Sequence, residues 1–270
     1  MNKEHRSAPL FAVHGLGFRY GELSALQGID LAFQPGDRIA LLGSNGSGKS
    51  TLLRILDGLI APSAGHVYFN GTELNDRSLS DDEYVIGFRR RVALLFQDPD
   101  VQLFNPTVFD EVAFGPLQLR WPREEIRHAV EHVLALLEIG HLKDRAPHRL
   151  SGGEKKRVAL ASILVLDPEV LLLDEPTAAL DPRSQSQLID FLRHLPAGKT
   201  VITATHDLET VEHIAGYCYV LSAGEVVAQG TPPEILGNRE LLESVNLVYA
   251  HTHSGSERQP HFHPHLPGSH

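Results

Sequence analysis

Cys218 is the only cysteine in 270 residues. That excludes an intramolecular disulfide and any zinc site built from cysteines, and it suits a reducing compartment. No stretch approaches the roughly 18 uninterrupted apolar residues of a membrane-crossing helix, so the chain is not expected to span a bilayer by itself. The start, Met1 to Arg6, is polar and leads into no apolar segment of the secretory kind, and the expectation is a soluble, cytoplasmic protein. Excess positive charge is also missing: 24 Lys and Arg face 34 Asp and Glu, a formal charge of -10. That balance argues against a nucleic-acid partner, because phosphate binding draws on a basic face. No repeat recurs at solenoid spacing. What is present is ordinary globular material, 42% hydrophobic and 21% charged, long enough for one large domain or two modest ones.

Residues 11–42 alternate apolar and polar positions between turn signals, which predicts antiparallel strands and hairpins. Arg38-Ile39-Ala40-Leu41-Leu42 is then a short apolar strand leading into a glycine loop and a helix from about Lys49. Val170 to Leu173 and Val201 to Ala204 read as buried parallel strands, with helical stretches before the first and after the second. Between about 98 and 166 strand signals are few. Pro122 opens a helix with Ile126, Val130, Val133, Leu134 and Leu137 on one face, and Gly140 is expected to close it. This stretch reads as a helical subdomain inserted between strands. A helix after 205, a hairpin at Ser222-Ala223-Gly224 and a helix introduced by Pro232-Pro233 follow. From about 251 the composition turns to His, Ser, Pro and Gly without period, an expected disordered tail.

Gly43-Ser44-Asn45-Gly46-Ser47-Gly48-Lys49-Ser50 fits G-x-x-x-x-G-K-[ST] between a strand and a helix. Glycines let backbone N–H groups turn around phosphate oxygens, and the helix N-terminus adds its dipole. Lys49 can reach the β- and γ-phosphates, Ser50 can ligate Mg²⁺, and Thr51 completes the nucleotide-binding run. A second site ends the strand at 170–173. There Asp174 is placed to hold the Mg²⁺ shell, and Glu175 to polarise an attacking water as general base.

Between these sites lies Leu150-Ser151-Gly152-Gly153-Glu154-Lys155-Lys156-Arg157, which resembles the signature motif of ATP-binding cassette (ABC) ATPases. Other marks of that family occur in order over roughly residues 8–235. Tyr20 resembles the aromatic that stacks on adenine. Gln97 resembles the glutamine that joins the catalytic core to the helical subdomain and adds to the Mg²⁺ and catalytic set. Ala179-Leu180-Asp181 resembles the D-loop, and His206 the switch histidine that senses the γ-phosphate. The resemblance implies an α/β fold, a P-loop NTPase with a mixed sheet core, an antiparallel β subdomain and the inserted helical subdomain. It implies one ATPase domain over 1–250 with a His-rich tail at 251–270, and ATP with Mg²⁺ as cofactors. Ser151, Gly152 and Gly153 open a helical run and make a second anion cradle, redundant within one chain. The family resolves this with a head-to-tail dimer, in which Ser151 and Gly153 contact the γ-phosphate held by Lys49 of the other subunit.

Phe96-Gln97-Asp98-Pro99-Asp100-Val101-Gln102-Leu103-Phe104 and Val112-Ala113-Phe114-Gly115-Pro116 are similar to the ATPases of energy-coupling-factor importers for vitamins, cobalt and nickel. The departures are Val101, where many members carry a polar residue, and Arg120, where glycine is common. The resemblance implies a transmembrane coupling subunit and a substrate-binding membrane subunit as partners, with this chain peripheral on the cytoplasmic face of the membrane. The tail holds His251, His253, His261, His263, His265 and His270, six of sixteen histidines in the last twenty residues. Imidazole suits Ni²⁺ and Co²⁺, so the cargo reads as one of these metals. A tail without function or derived from an expression tag also fits the composition, as do a vitamin cargo and a soluble ATPase not coupled to transport. His128 and His132 share a helix face, but without a third ligand they read as surface residues. Arg89 to Arg91 reads as a solvated strand start.

Overall fold

The computed structural model describes residues 8–248. β1 (Phe11–Tyr20) and β2 (Leu23–Phe33) are followed by β3 (Arg38–Leu42) and α1 (Lys49–Leu56). Next come β4 (Ala64–Phe69), β5 (Thr72–Glu73), α2 (Asp82–Arg91) and β6 (Val92–Leu95). α3 (Val108–Gln118), α4 (Arg123–Leu136) and α5 (Gly152–Leu164) fill the stretch before β7 (Val170–Asp174). α6 (Pro182–Arg193), β8 (Thr200–Thr205), α7 (Leu208–Ile214), β9 (Tyr217–Ser222), β10 (Glu225–Gly230), α8 (Pro232–Leu236) and α9 (Arg239–Ser244) complete the order.

Two sheets result. β2, β1, β4 and β5 form an antiparallel sheet in that order. The main sheet runs β10-β9-β3-β8-β7-β6 and is parallel except for the edge strand β10. β3, β6 and β7 are nearly continuous in apolar residues because both faces are covered. Val92 and Leu94 of β6, with Val170 and Leu172 of β7, face the cluster shared with β1, β2, β4 and α1. Ala93, Leu95, Leu171 and Leu173 face the opposite cluster, built from α3, α4, α5 and α6. Burying one such side chain contributes roughly 1.5–3 kcal/mol, so a polar residue in these strands is expensive on either face. A third cluster joins Ala40 and Leu42 of β3 to β9 and to α7, α8 and α9.

The segment between β6 and β7 contains α3, α4 and α5 and no strand, as its sequence predicts. Two local expectations need correction. Arg89, Arg90 and Arg91 end α2 rather than start a strand, and they are engaged: Arg89 pairs with Asp57, Arg91 with Glu169, and Arg90 lies over the Trp121 ring. α4 stops before Gly140; Glu138, at φ 58, takes the left-handed position that ends the helix. Arg120 also sits at φ 57, just past α3, which accounts for a glycine preference at that place. His128 and His132 are exposed on α4, and no group of three or more metal-ligating side chains occurs among the described residues. Among those residues no helix is long and apolar enough to cross a membrane. The histidine tail lies outside the described residues.

Candidate nucleotide site

β3, β8 and β7 are neighbours in register, with Leu42 opposite Thr205 and Asp174 opposite Ala204. Their carboxyl ends therefore open at one place, where ligands of parallel sheets bind. The loop from Gly43 to Gly48 starts at the end of β3 and feeds α1. Two of its glycines are required by space and by backbone angle. Gly43, at φ 156, would place a Cβ 2.4 Å from Leu221 O; Gly48, at φ 107, would place one 2.7 Å from Ala25 O. Lys49 is buried, and its Nζ donates to Gly43 O at 2.7 Å and to Ser44 O at 3.1 Å. Burial pushes its pKa down, against the fields of Glu175 and Asp174.

Ser50 Oγ donates to Asp174 Oδ1 at 3.0 Å, linking the first turn of α1 to the end of β7. Burial raises the Asp174 pKa, the Ser50 hydrogen bond opposes that rise, and the neighbouring Glu175 adds to it. Glu175 leaves the strand at φ 45 with its N–H on Ala204 O, and this turn sends its carboxylate inward. Oε1 stands 2.8 Å from His206 Nδ1 and 3.9 Å from Lys49 Nζ, and Oε2 accepts from Thr205 Oγ1 at 3.1 Å. The chain thus brings Lys49, Ser50, Asp174, Glu175 and His206 together from three adjacent strand ends.

Tyr20 is nearly half exposed, its Oη 3.5 Å from Thr51 Oγ1, so its ring stands at the edge of the phosphate loop. Gln97 follows β6 by two residues and is exposed; its carbonyl accepts from Lys156 Nζ at 2.7 Å. Ser151 caps α5: its Oγ accepts from Glu154 N, and Glu154 Oε2 accepts from Ser151 N. Gly152 is exposed beside it. A Cβ on Gly153 would lie 3.3 Å from Ser184 Oγ and 3.8 Å from Asp181 Oδ2, which puts this cradle next to the start of α6. Asp181 caps α6, accepting from Arg183 N and Ser184 N, and the Ser184 contacts hold its carboxyl below the usual range.

Two residues near the site carry no role in the sequence reading. Thr205 is fully buried and orients Glu175; the adjacent His206 was the only signal for it. Lys156 is 3% exposed, and burial lowers its pKa to about 8, opposed by Asp174, Glu175 and Asp98.

The sequence model described as "ABC transporter" matches residues 26–178. The nickel import ATP-binding protein NikO of Rhodobacter capsulatus is 52% identical over 244 residues, covering 89% of this chain and 96% of the relative. The chain belongs to the ABC transporter family. This ABC ATPase is also 42% identical over 229 residues to the energy-coupling factor transporter ATP-binding protein EcfA of Methanoculleus marisnigri, covering 84% and 80% of the two. Among solved structures it is similar to cbiO1 from Clostridium perfringens, part of the complex cbiONQ, with TM-score 0.75 and 38% identity over 89% of this chain and 96% of that one. The dimeric cassette MJ0796, in a post-hydrolysis state with ADP and phosphate, matches with TM-score 0.74 and 30% identity over 82% and 98%. As a member of this family, the chain is an ATP-binding, ATP-hydrolysing subunit of a transport system.

Proposed function

We propose that this chain powers import of Ni²⁺ or Co²⁺ through a membrane complex, hydrolysing Mg²⁺-ATP at two composite sites. The observation that carries the catalytic half is the convergence of Lys49, Ser50, Asp174, Glu175 and His206. The loop and the glycine-lined turn hold phosphates, and Lys49 faces the terminal ones. The metal fits the donor set, since Ser50 and Asp174 offer hard oxygen ligands 3.0 Å apart. Ser47 Oγ, buried inside the loop without a hydrogen-bond partner among the described residues, adds a free hydroxyl. Gln97 would complete the set from the end of β6. Mg²⁺ bound there would neutralise charge that develops on the transferred phosphoryl group. Glu175 takes a proton from the attacking water, and Thr205 and His206 fix its two oxygens. His206 also reports the γ-phosphate, and Tyr20 stacks on the base.

Gly153 lies beside Asp181 and Ser184, and a second copy supplies the nucleotide that Ser151, Gly152 and Gly153 contact. The dimeric MJ0796 structure supports this arrangement. The domain is taken as 1–250, with 98–166 as its helical insert and 251–270 as a tail. The cargo follows from the nickel import relative and from the histidine-rich tail.

The membrane partner docks on an exposed apolar patch. Phe104 and Phe114 meet edge to face at 5.0 Å, and Val101 and Leu117 are more than half exposed beside them in sequence. Glu111 is buried and accepts from Phe104 N and Asn105 N at 2.8 and 2.7 Å, which holds the loop with Phe104 outward. Such a patch marks an interaction surface. Phe104→Asp should release the chain from the membrane fraction while ATPase activity of the isolated chain stays within about twofold. A variant that still sediments with membranes like wild type contradicts this surface.

A further inference from the structure

Lys156 is an unusual residue to bury, because an ammonium removed from water carries a heavy desolvation penalty. It lies in the charged run that follows the signature glycines, yet it is 3% exposed. Its Nζ donates to two main-chain carbonyls, Gln97 O at 2.7 Å and Phe96 O at 3.3 Å. Among the described residues no carboxylate bonds to it directly, although Asp174, Glu175 and Asp98 all act on its charge. A neighbouring set of contacts continues the same seam. Lys155 Nζ pairs with Asp100 Oδ1 at 2.6 Å, and Gln102 Nε2 donates to Ala159 O and Ser162 Oγ at 3.1 Å each. Gln102 Oε1 in turn accepts from Phe96 N. The loop from 96 to 102 is thus stitched along α5, and the buried stitch falls at Gln97.

We propose that Lys156 is a positioning residue: by tying Phe96 O and Gln97 O to α5, it makes Gln97 and the Ser151–Gly153 cradle move as one body. An ammonium carries three donors and can hold two loop carbonyls that no strand or helix satisfies. Movement of the cradle onto the second subunit's nucleotide would then be the same event that carries Gln97 toward Ser50 and Asp174, the residues that would hold Mg²⁺. This rests on the role given to Gln97 above.

The test is a double-mutant cycle on ATP hydrolysis by the full-length chain, with thermal melts to confirm folding. Lys156→Met should lower kcat about tenfold and leave KM for ATP within about twofold, because its Nζ hydrogen bonds go to Phe96 O and Gln97 O and not to residues 43–51. In a Gln97→Ala background the same substitution should add no further loss beyond about twofold. Losses that multiply in the double variant, or a folded Lys156→Met with wild-type kcat, overturn the inference and leave Gln97 in place. A Gln97→Ala variant with wild-type kcat overturns the Gln97 assignment and the inference with it. Should Lys156→Met fail to fold, Lys156→Gln goes through the same cycle and is read by the same criteria.

Discussion

Glu175 Oε1 and His206 Nδ1 stand 2.8 Å apart across the ends of β7 and β8. The contact depends on two local features. Glu175 adopts φ 45, and β8 runs parallel to β7 with Asp174 opposite Ala204. Replacing the carboxylate keeps the shape and removes the proposed base. Glu175→Gln should lower turnover by about 10²-fold or more while ATP binding persists. In gel filtration with ATP it should run as a dimer. Hydrolysis near the wild-type rate would falsify the role of Glu175.

Asp174 is the acidic half of the metal pair proposed with Ser50, whose Oγ donates to its Oδ1 at 3.0 Å. Asp174→Asn keeps a hydrogen-bond partner for Ser50 and removes the charge. The Mg²⁺ concentration for half-maximal hydrolysis should rise about tenfold or more, equivalent to about 1.4 kcal/mol. Nucleotide binding measured in EDTA should change little. An unchanged Mg²⁺ dependence counts against Asp174 as a ligand.

Asp57, at the end of α1, is buried and held by Arg89 Nη1, which donates to its Oδ2 and its carbonyl at 2.7 Å each. Burial outweighs the arginine and raises its pKa to about 7 from an ordinary 3.8. The native state then binds a proton there that the unfolded chain has released between about pH 4 and 7. Its stability contribution is full below the unfolded value and is lost as pH rises through about 7. Asp57→Asn should gain on wild type across that window, by at most about 1.4 kcal/mol per pH unit. Parallel denaturation curves at pH 5 and pH 8 for the two proteins would show no such coupling.

The tail carries six imidazoles in the chain's last twenty residues. Removing 251–270 should weaken Ni²⁺ or Co²⁺ binding in calorimetry by about tenfold or more, as imidazole ligands leave, and spare ATP hydrolysis. Equal affinity without the tail removes it from the metal argument.

Much of this was legible in the residues. The glycine spacing at 43–48 and the acids at 174–175 follow short apolar strands, and strands covered on both faces must be apolar. α2 gave no comparable signal, because Phe88 is its one fully buried side chain. Gly140 looked like the natural stop for α4, yet Glu138 took the left-handed position first. Lys156 and Glu111 are buried, and nothing in their sequence neighbours shows it. Their burial comes from loops 96–97 and 104–105 folding onto α5 and α3, contacts that no local period encodes.

The proposed coupling joins ATP hydrolysis at Glu175 to metal import. It is tested most directly by uptake of labelled Ni²⁺ and Co²⁺ in cells lacking this chain, restored with wild type or with Glu175→Gln. Wild type should restore uptake of one metal and Glu175→Gln should not. Uptake of both metals that is the same with and without the chain contradicts the account.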